Sequence, residues 1–515
     1  MIRKFCLWAT PIVIIFILFA LYYLYTIQGE LKLPDKGWSR TLHKPIDSTE
    51  RTLYTYSDKQ GTELYTIDGE AIIHSTLNKH LKVTQQHTHS FKGDLMRLYW
   101  AEGDTYVFKK NLNLYYFNGQ KELLIDKGVE DASYKEGTVY YSQGNMLKKV
   151  DLKTLKSEKV RQFPNDIRTL TIDKSYGALL LTTLKNKSDV SFYLSSLEGK
   201  TPQFKKFATT SIVSGDISQA SYQVNDHHFY LFYMLSAIHD GIAFSPYYEE
   251  LALDHINKEE VVAFKNKPIS FQGWPNINTN EIYFKMMHNQ PTVLLSAEGN
   301  RNLRDTALNV YEAHPGSDGS WILERRSTST EASIHPFWIN NQTIGWLDLK
   351  SEDHYQLGLA SQDPEIIKAS QKLNNEDMKN ALSEATVSVP RIFILILISL
   401  LFASPALMIY GVIAFTRIEL LERNSPIVKW IIGLVFVAMM YGFSCFVMKP
   451  SFYYYAPDYL TFPLGVIVWP TIITVVSWLV TRQFKTTEWT LLHEVSYFCL
   501  LYLIIANFLF GPYYI

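Results

Sequence analysis

The sequence is short of cysteine. The whole chain contains three, Cys6, Cys445 and Cys499, and each of them lies in or beside an apolar segment. Residues 30–390 contain none, which excludes a disulfide framework for this region. The stability of that region must therefore come from the burial of its side chains. A large exported domain without cysteine would fit a bacterial surface.

Motifs of nucleophilic, metal and phosphate chemistry are also missing. The chain has no Gly-x-Ser-x-Gly, His-Glu-x-x-His, Gly-x-x-x-x-Gly-Lys-Ser/Thr or Gly-x-Gly-x-x-Gly pattern and no acidic calcium loop. Residues 30–390 carry 40 Lys and Arg against 45 Asp and Glu, without a basic stripe. This balance argues against a nucleic-acid partner. The sequence indicates no cofactor and no metal, and it leans away from an enzyme.

Five long apolar runs are almost free of charged residues; the exception is Glu494, at the entry of the last run. The first, residues 7–27, follows Arg3 and Lys4 and lacks a small-x-small cleavage site. A run of about 20 apolar residues is long enough to cross a bilayer, whereas the apolar part of a cleaved signal peptide spans about 7–15. We therefore predict an uncleaved N-terminal anchor, with a cleaved signal peptide as the alternative. Four further runs near the C-terminus predict membrane spans: residues 392–416, 430–448, 462–480 and 491–510.

The loops between these spans predict their orientation. Basic residues are concentrated on one side of the C-terminal spans, at Arg417, Arg423, Lys429, Arg482 and Lys485, whereas the loop on the opposite side has Lys449. Loops rich in Lys and Arg stay in the cytoplasm. The pattern predicts a multi-pass cell-membrane protein with a cytoplasmic N-terminus, an extracytoplasmic region over residues 30–390 and an extracytoplasmic C-terminus.

Residues 30–390 do have a repeated pattern. Its clearest copy, residues 137–160 (GTVYYSQGNMLKKVDLKTLKSEKV), predicts two short strands around a Gln-Gly-Asn turn. Aromatic and β-branched residues suit strands, and Gly and Asn tolerate the positive φ of a tight hairpin. Units recur about every 40–45 residues, the period of four-stranded propeller blades. Looser copies lie at residues 52–70, 107–119, 190–199, 284–299 and 333–360.

Two of these copies carry a resemblance to a known repeat. Residues 52–70 (TLYTYSDKQGTELYTIDGE) resemble the repeat of TolB-like and WD40-like β-propellers, in which a Gly turn precedes a Leu-Tyr-x-hydrophobic-Asp strand. In residues 333–360, Pro336-x-Trp338 is followed by two asparagines where these families often have Asp-Gly. The resemblance implies an all-β propeller of about seven blades, with six or eight possible, closed by strands from both chain ends. It implies no catalytic activity.

The predicted organisation has five parts. They are an N-terminal transmembrane anchor (1–28), a juxtamembrane lead (29–45), the propeller (46–362), a helical stalk (363–390) and a four-span membrane domain (391–515). Pro364 and Pro390 bound the predicted stalk helix.

Candidate ligand-contacting residues lie within or beside the segment 229–245 (FYLFYMLSAIHDGIAFS), which departs from the repeat. This segment is either an insertion over the ring with a functional loop or a long strand pair. The candidates are His227, His228, His239, Asp240, Tyr247 and Tyr248. Elsewhere, His87 and His89 share one strand face, but two ligands are fewer than zinc normally takes. We expect most tryptophans of this region to lie in blade cores, although a few could line a sugar-binding face. These tryptophans are Trp38, Trp100, Trp274, Trp321, Trp338 and Trp346.

Three functional hypotheses follow. The first is a non-enzymatic binding, scaffolding or sensing module at the cell envelope, with an envelope or membrane protein as its partner. The second is an extracytoplasmic enzyme whose site on the propeller face draws on the histidines at 227, 228 and 239 or on Asp240. The third is a component of a transport or export complex, which would need a polar cavity between the C-terminal spans.

Overall fold

The computed structural model describes residues 2–34, 37–51, 53–57, 61–173, 176–197, 202–212, 215–225, 227–238, 242–257, 260–265, 267–272, 282–300, 306–486 and 489–514. The chain forms two compact units. One is helical and contains Met1–Lys32 and Lys372–Ile515. The other is rich in strands and contains Leu33–Arg301 and Asp305–Gln371.

The described helices are α1 (Ile2–Glu30), α2 (Leu253–Asn257), α3 (Pro364–Ser370), α4 (Asn375–Val387), α5 (Val389–Thr416), α6 (Ile418–Glu422), α7 (Pro426–Val447), α8 (Pro450–Tyr455), α9 (Asp458–Thr461), α10 (Gly465–Phe484) and α11 (Leu491–Phe510). The described strands are β1 (Leu42–Ser48), β2 (Leu53–Ser57), β3 (Thr62–Asp68), β4 (Ala71–Leu77), β5 (Val83–Ser90), β6 (Leu95–Glu102), β7 (Thr105–Lys110), β8 (Asn113–Asn118), β9 (Glu122–Asp126), β10 (Ala132–Lys135), β11 (Thr138–Gln143), β12 (Met146–Asp151), β13 (Ser157–Gln162), β14 (Asp166–Ile172), β15 (Ala178–Lys185), β16 (Asp189–Ser196), β17 (Lys205–Ser211), β18 (Gly215–Val224), β19 (His228–Ile238), β20 (Ile242–Ala252), β21 (Val262–Ala263), β22 (Ile282–Met287), β23 (Gln290–Asn300), β24 (Thr306–Pro315), β25 (Trp321–Arg325), β26 (Ser333–Asn340), β27 (Thr343–Ser351) and β28 (His354–Ser361).

The strands form seven sheets, which are the blades of a propeller. In chain order, blades 1 to 3 are β2–β5, β6–β9 and β10–β13, and blade 4 is β14–β17 with β21 added at its edge. Blade 5 is β18–β20, blade 6 is β22–β25, and blade 7 is β26–β28 with β1. The first strand of each blade contacts the first strand of the next, and β26 contacts β2. The described sheets therefore close a ring, which confirms the predicted β-propeller with seven blades.

Closure of the ring uses both ends of the propeller sequence. Strand β1 pairs antiparallel with β28, with Leu42 opposite Leu359 and Ser48 opposite Tyr355. This arrangement removes the free sheet edge that an open ring would leave. The expectation that strands from both ends of the propeller sequence close the ring is confirmed.

The repeat folds as its residues predict. Strands β11 and β12 form a hairpin in which Gly144 has a φ of 56°, a left-handed conformation that glycine adopts without steric cost. Val139 and Tyr141 are fully buried against blade 2, together with Val107 and Leu114, and Tyr140 between them is buried on the other sheet face. Each blade is thus stabilised by apolar faces packed against its neighbours.

The segment that departs from the repeat is a long strand pair. Strands β19 and β20 have eleven residues each and pair without interruption from His228 opposite Ala252 to Ile238 opposite Ile242. Of the two alternatives open from the sequence, the structure shows the strand pair. The continuous run of large apolar residues is explained because both faces of β19 are buried, one against blade 4 and the other against blade 6.

The helical unit contains five helices long and apolar enough to cross a membrane. They lie at Ala9–Glu30, Asn375–Thr416, Pro426–Val447, Gly465–Phe484 and Leu491–Tyr513. Asn507 in α11 is fully buried and donates from Nδ2 to Ser399 Oγ in α5 at 2.9 Å. Such hydrogen bonds between helices are a common use of amides within membranes.

The predicted stalk, residues 363–390, forms two helices instead of one. Helix α3 ends at Ser370, and Ile366 in this helix is buried in the propeller core. Asn374 and Asp377 then form a reciprocal capping box that begins α4. Because a capping box satisfies the first free N–H groups of a new helix, it separates α4 from α3.

Candidate functional site

After β20 the chain crosses the outer edges of three consecutive blades. Strand β21 pairs in parallel with β17 of blade 4, with Val262 opposite Ala208. Farther on, the Ile269 N–H donates to the Pro246 carbonyl of blade 5 at 2.8 Å. The Trp321 N–H of blade 6 donates to the Ser270 carbonyl, also at 2.8 Å. We call residues 260–265 and 267–272 the strap.

The strap occupies the place of a regular fourth strand in blade 5. Its Pro268 makes only an isolated bridge with Tyr247 of β20. Proline has no N–H to donate and therefore interrupts a hydrogen-bonded ladder. The strap consequently touches the edge of blade 5 at single points, and space remains between them.

This space is a cavity of about 730 Å³, which we call the strap groove. Its aromatic part is formed by Tyr248 of β20 and Trp321 of β25, whose rings meet edge to face with centroids 5.6 Å apart. The Tyr248 ring also stacks on the Tyr230 ring, with centroids 6.5 Å apart and an angle of 17° between the ring planes. Trp321 is buried beneath Tyr248, and these contacts hold the Tyr248 ring in place, so the groove offers a rigid aromatic surface at Tyr248.

Charged groups of both signs surround the aromatic surface. Glu249 is half-buried, and burial raises the pKa of its carboxyl group. Lys265 and Lys267 are exposed on the strap. Within the described ranges, none of these three side chains forms an ion pair. They are therefore available to charged groups of a ligand.

Asp318 also lines the groove, from the turn between β24 and β25. Its carboxylate accepts hydrogen bonds from the Ser320 hydroxyl at 2.6 Å and from the Ser320 N–H at 3.0 Å. These hydrogen bonds lower the pKa of Asp318. The groove thus combines an aromatic surface, two ammonium groups and two carboxyl groups, an arrangement that suits a polar ligand with an apolar face.

The predicted site residues are distributed over blade 5. Tyr248 lines the strap groove, whereas Tyr247 points to the other sheet face and stacks on Tyr233 with centroids 5.1 Å apart. His228 begins β19, and its Nε2 lies 3.7 Å from Glu250 Oε1. His227 lies in the preceding turn, where its N–H donates to Asn225 Oδ1 at 3.0 Å.

The two remaining predicted residues, His239 and Asp240, lie outside the described residues. The residue before them, Ile238, ends β19. Ten strand steps separate it from His228, a distance of roughly 33 Å. The structure therefore brings Tyr248 to the groove and leaves the two described histidines at one end of the strand pair.

The other residues that the sequence analysis considered have structural surroundings. His89 Nε2 lies 3.0 Å from Asp104 Oδ1, and His87 is paired across the sheet with His74. The described parts of the chain hold no group of three or more metal-binding side chains. Among the tryptophans, Trp321 lines the groove, and Trp38 and Trp346 are buried in the core.

Sequence reasoning missed most of the polar residues of the groove. Lys265 and Lys267 lie in a short polar segment, and Asp318 and Ser320 belong to a Gly-Ser-Asp-Gly-Ser turn. Each segment has the composition of an ordinary loop. The path of the strap brings Lys265 and Lys267 to the groove, and the position of blade 6 beside blade 5 brings Asp318 and Ser320 there.

No protein-family model matches the chain, and no curated protein matches it. Solved structures resemble it at low identity. The N-terminal domain of Nup159 is 12% identical, with 64% of this chain and 95% of that one covered and a TM-score of 0.34. Virginiamycin B lyase from Staphylococcus aureus is 12% identical, with coverages of 63% and 99% and a TM-score of 0.38. The WD40 domain of Neurospora crassa Pan2 is 10% identical, with coverages of 64% and 97% and a TM-score of 0.40. The assignment of a seven-bladed propeller rests on the sheet topology.

Proposed function

We propose that this protein is a membrane-anchored, extracytoplasmic β-propeller that acts as a non-enzymatic binding or scaffolding module of the cell envelope. The observation that supports this proposal is the strap groove, where charges without ion-pair partners in the described chain surround a fixed aromatic surface. Trp and Tyr are frequent at the energetic centres of protein interfaces, and charges around them select and steer the partner.

The strap groove suits a segment of a partner protein. The half-buried Tyr248 provides aromatic contact area, Lys265 and Lys267 can bind a carboxylate, and Glu249 can bind a basic group. A cavity of about 730 Å³ accommodates a few side chains, not a whole folded surface. We infer that the partner presents a short segment with acidic, basic and aromatic or aliphatic residues.

Contacts inside the helical unit support the proposed orientation. Glu494 forms ion pairs with Lys429 and with Lys485, so the two basic loops lie at the same end of the unit. The Tyr497 hydroxyl donates to the Leu7 carbonyl at 3.0 Å, which places the start of α1 at that end too. Under the positive-inside rule this end is cytoplasmic.

The other end of the helical unit is rich in tyrosine. Tyr22 and Tyr513 meet edge to face with ring centroids 5.6 Å apart, and the Tyr23 hydroxyl donates to the Met378 carbonyl at 3.3 Å. Tyrosine is typical of the membrane–water interface. The propeller sequence lies between α1 and α4, so the proposed topology makes it extracytoplasmic.

The enzyme hypothesis receives no support from the described residues. It needs the histidines at 227 and 228 and the pair at 239 and 240 in one pocket. The length of β19 separates His228 from Ile238 by roughly 33 Å. We therefore retain the binding module as the proposed function.

Photocrosslinking in intact membranes tests the binding proposal. A photoreactive amino acid replaces Lys267 in the groove or, as the matched control, the exposed Lys153 on blade 3 of the full-length chain. We expect one defined protein adduct at position 267 and none at 153. Lys265→Glu, which reverses a charge of the groove at an exposed position, should reduce the adduct at least about fivefold, the effect of roughly 1 kcal/mol. Equal adducts at both positions, or an adduct unaffected by Lys265→Glu, would contradict the proposal.

Protease treatment of intact cells tests the orientation. The proposed topology predicts that an added protease cleaves within the propeller sequence without cell lysis. The cytoplasmic loop that contains Arg417 and Arg423 should be cleaved only after lysis. Protection of the propeller in intact cells would show that the orientation is reversed.

A further inference from the structure

The helical unit has a second cavity, about 480 Å³ in volume, between α7, α10 and α11. We call it the helix groove. Its walls are apolar, and residues on both sides of its opening, Trp430 and Leu434 on α7 and Val475 and Trp478 on α10, are exposed on the outside of the unit. In a membrane this opening faces the lipid.

A glycine creates part of this space. A Cβ atom added at Gly433 would meet no other atom within 4 Å, so the missing side chain leaves room in the groove. The residues that α7 contributes extend from Pro426 to Val437, which corresponds to about 16 Å along the helix. Half of a hydrocarbon core of about 30 Å has nearly the same depth. The α7 wall of the groove therefore spans about one leaflet.

One end of the groove is cationic. Lys429 and Lys485 both form ion pairs with Glu494, the latter with Nζ 2.7 Å from Oε2. Arg482 lies over the ring of Trp478, 5.3 Å from its centroid. Lys429 and Glu494 line the groove, and Lys485 and Arg482 lie beside it; these four side chains together have a net charge of +2. An ammonium group has three donors, so each lysine that binds Glu494 can also bind a phosphate oxygen.

We propose that the helix groove binds one acyl chain of an anionic phospholipid, with the lipid phosphate at Lys429 and Lys485. The apolar part of the helix groove has about the depth of one leaflet on its α7 side, and the positive charge at its end is complementary to an anionic headgroup. Inorganic phosphate could occupy only the cationic end of the helix groove and would leave the apolar part of the groove empty. A phospholipid satisfies both parts of the groove at once.

Native mass spectrometry of the purified full-length protein tests this proposal. The protein is extracted from membranes of phosphatidylglycerol and phosphatidylcholine and delipidated in mild detergent. We expect the wild-type protein to retain one phosphatidylglycerol in preference to phosphatidylcholine. Gly433→Leu should reduce this retention at least about tenfold, because the leucine side chain occupies the apolar part of the groove, and leucine is also a better helix former than glycine.

The matched control is Gly411→Leu in α5. This glycine also has no atom within 4 Å of an added Cβ, but it does not line the groove. The control should retain the lipid as the wild type does. Val475→Phe fills the groove from α10 and should reproduce the loss, so the test does not depend on one variant. Lys485→Gln should reduce the preference for phosphatidylglycerol.

Several outcomes would overturn the proposal. Equal retention by the wild type and by both groove-filling variants would show that the lipid binds elsewhere. Equal retention of the two lipids by the wild type would refute the anionic headgroup. Displacement of the lipid by inorganic phosphate would show that the phosphate site acts without the apolar part of the groove.

Discussion

Asp348 holds together the blade that closes the propeller, and replacing it by alanine should destabilise the ring. Its fully buried carboxylate accepts hydrogen bonds from the Ser333 hydroxyl at 2.6 Å and from the indole N–H of Trp346 at 2.9 Å. Its second oxygen lies 3.0 Å from Nε2 of His43, which belongs to β1. The carboxylate therefore joins strands from the two ends of the propeller sequence.

The size of the effect follows from burial. In Asp348→Ala, the buried donors of Ser333 and Trp346 lose their acceptor, and each such loss costs about 1–3 kcal/mol. His43 is partly exposed and can turn to water, so it adds little. The alanine variant also no longer buries a carboxylate, which offsets roughly 1 kcal/mol. We expect a net loss of about 3 kcal/mol, or about a hundredfold in the ratio of folded to unfolded propeller.

Urea unfolding of the full-length protein in detergent, followed by a short protease pulse, measures this loss through the surviving propeller fragment. Asp348→Asn keeps an acceptor oxygen for both donors and should cost only about 1 kcal/mol. The exposed Asp353→Ala is the matched control and should stay within about 0.5 kcal/mol of the wild type. If Asp348→Ala unfolds at the same urea concentration as Asp353→Ala, the carboxylate does not stabilise the closed ring.

Three further predictions concern other parts of the chain. In Gly358→Ala the new Cβ would lie 2.5 Å from the indole nitrogen of Trp346, so we expect a loss of about 1–3 kcal/mol in the same urea assay. Burial lowers the pKa of His74, so the unfolded chain binds the proton at a higher pH than the folded chain does. The contribution of His74 to propeller stability should therefore be complete above about pH 6.5 and be lost as the pH falls below that value. His74→Phe should flatten this pH dependence in urea titrations between about pH 7 and pH 5. Asn507→Leu removes the hydrogen bond to Ser399 and should lower the thermal stability of the helical unit by about 0.6–1 kcal/mol, measured by circular dichroism in detergent; an unchanged melting temperature would show that the bond contributes nothing.

The membrane spans could be predicted from the sequence because their signal is local. A run of about 20 apolar residues without charge has few stable environments other than a bilayer. The structure has a helix long and apolar enough to span a membrane at each of the five predicted positions. The sequence also predicted that the basic loops lie on the same side of the membrane. The ion pairs of Glu494 with Lys429 and Lys485 bring two of these loops together.

The candidate site was only partly predictable. Tyr248 was selected because it follows the segment that departs from the repeat, and it does line the strap groove. Lys265, Lys267 and Asp318 were missed, since nothing in a short polar loop shows which distant strand it will touch. Asp318 reaches the groove from a turn 70 residues beyond Tyr248 in the chain.

The sequence by itself determined the class of the fold, because the alternation of strands and turns and the repeat period depend on residues that are close together in the chain. It left six, seven or eight blades open, and the tertiary structure decided for seven. The structure alone also decided that the described residues of blade 5 form three strands and that a strap crosses three blade edges. Edge pairing joins backbone groups that are far apart in the chain, and every backbone has the same donors and acceptors. Side-chain patterns therefore predict that a strand forms, but the packing of the closed ring decides which edge it meets.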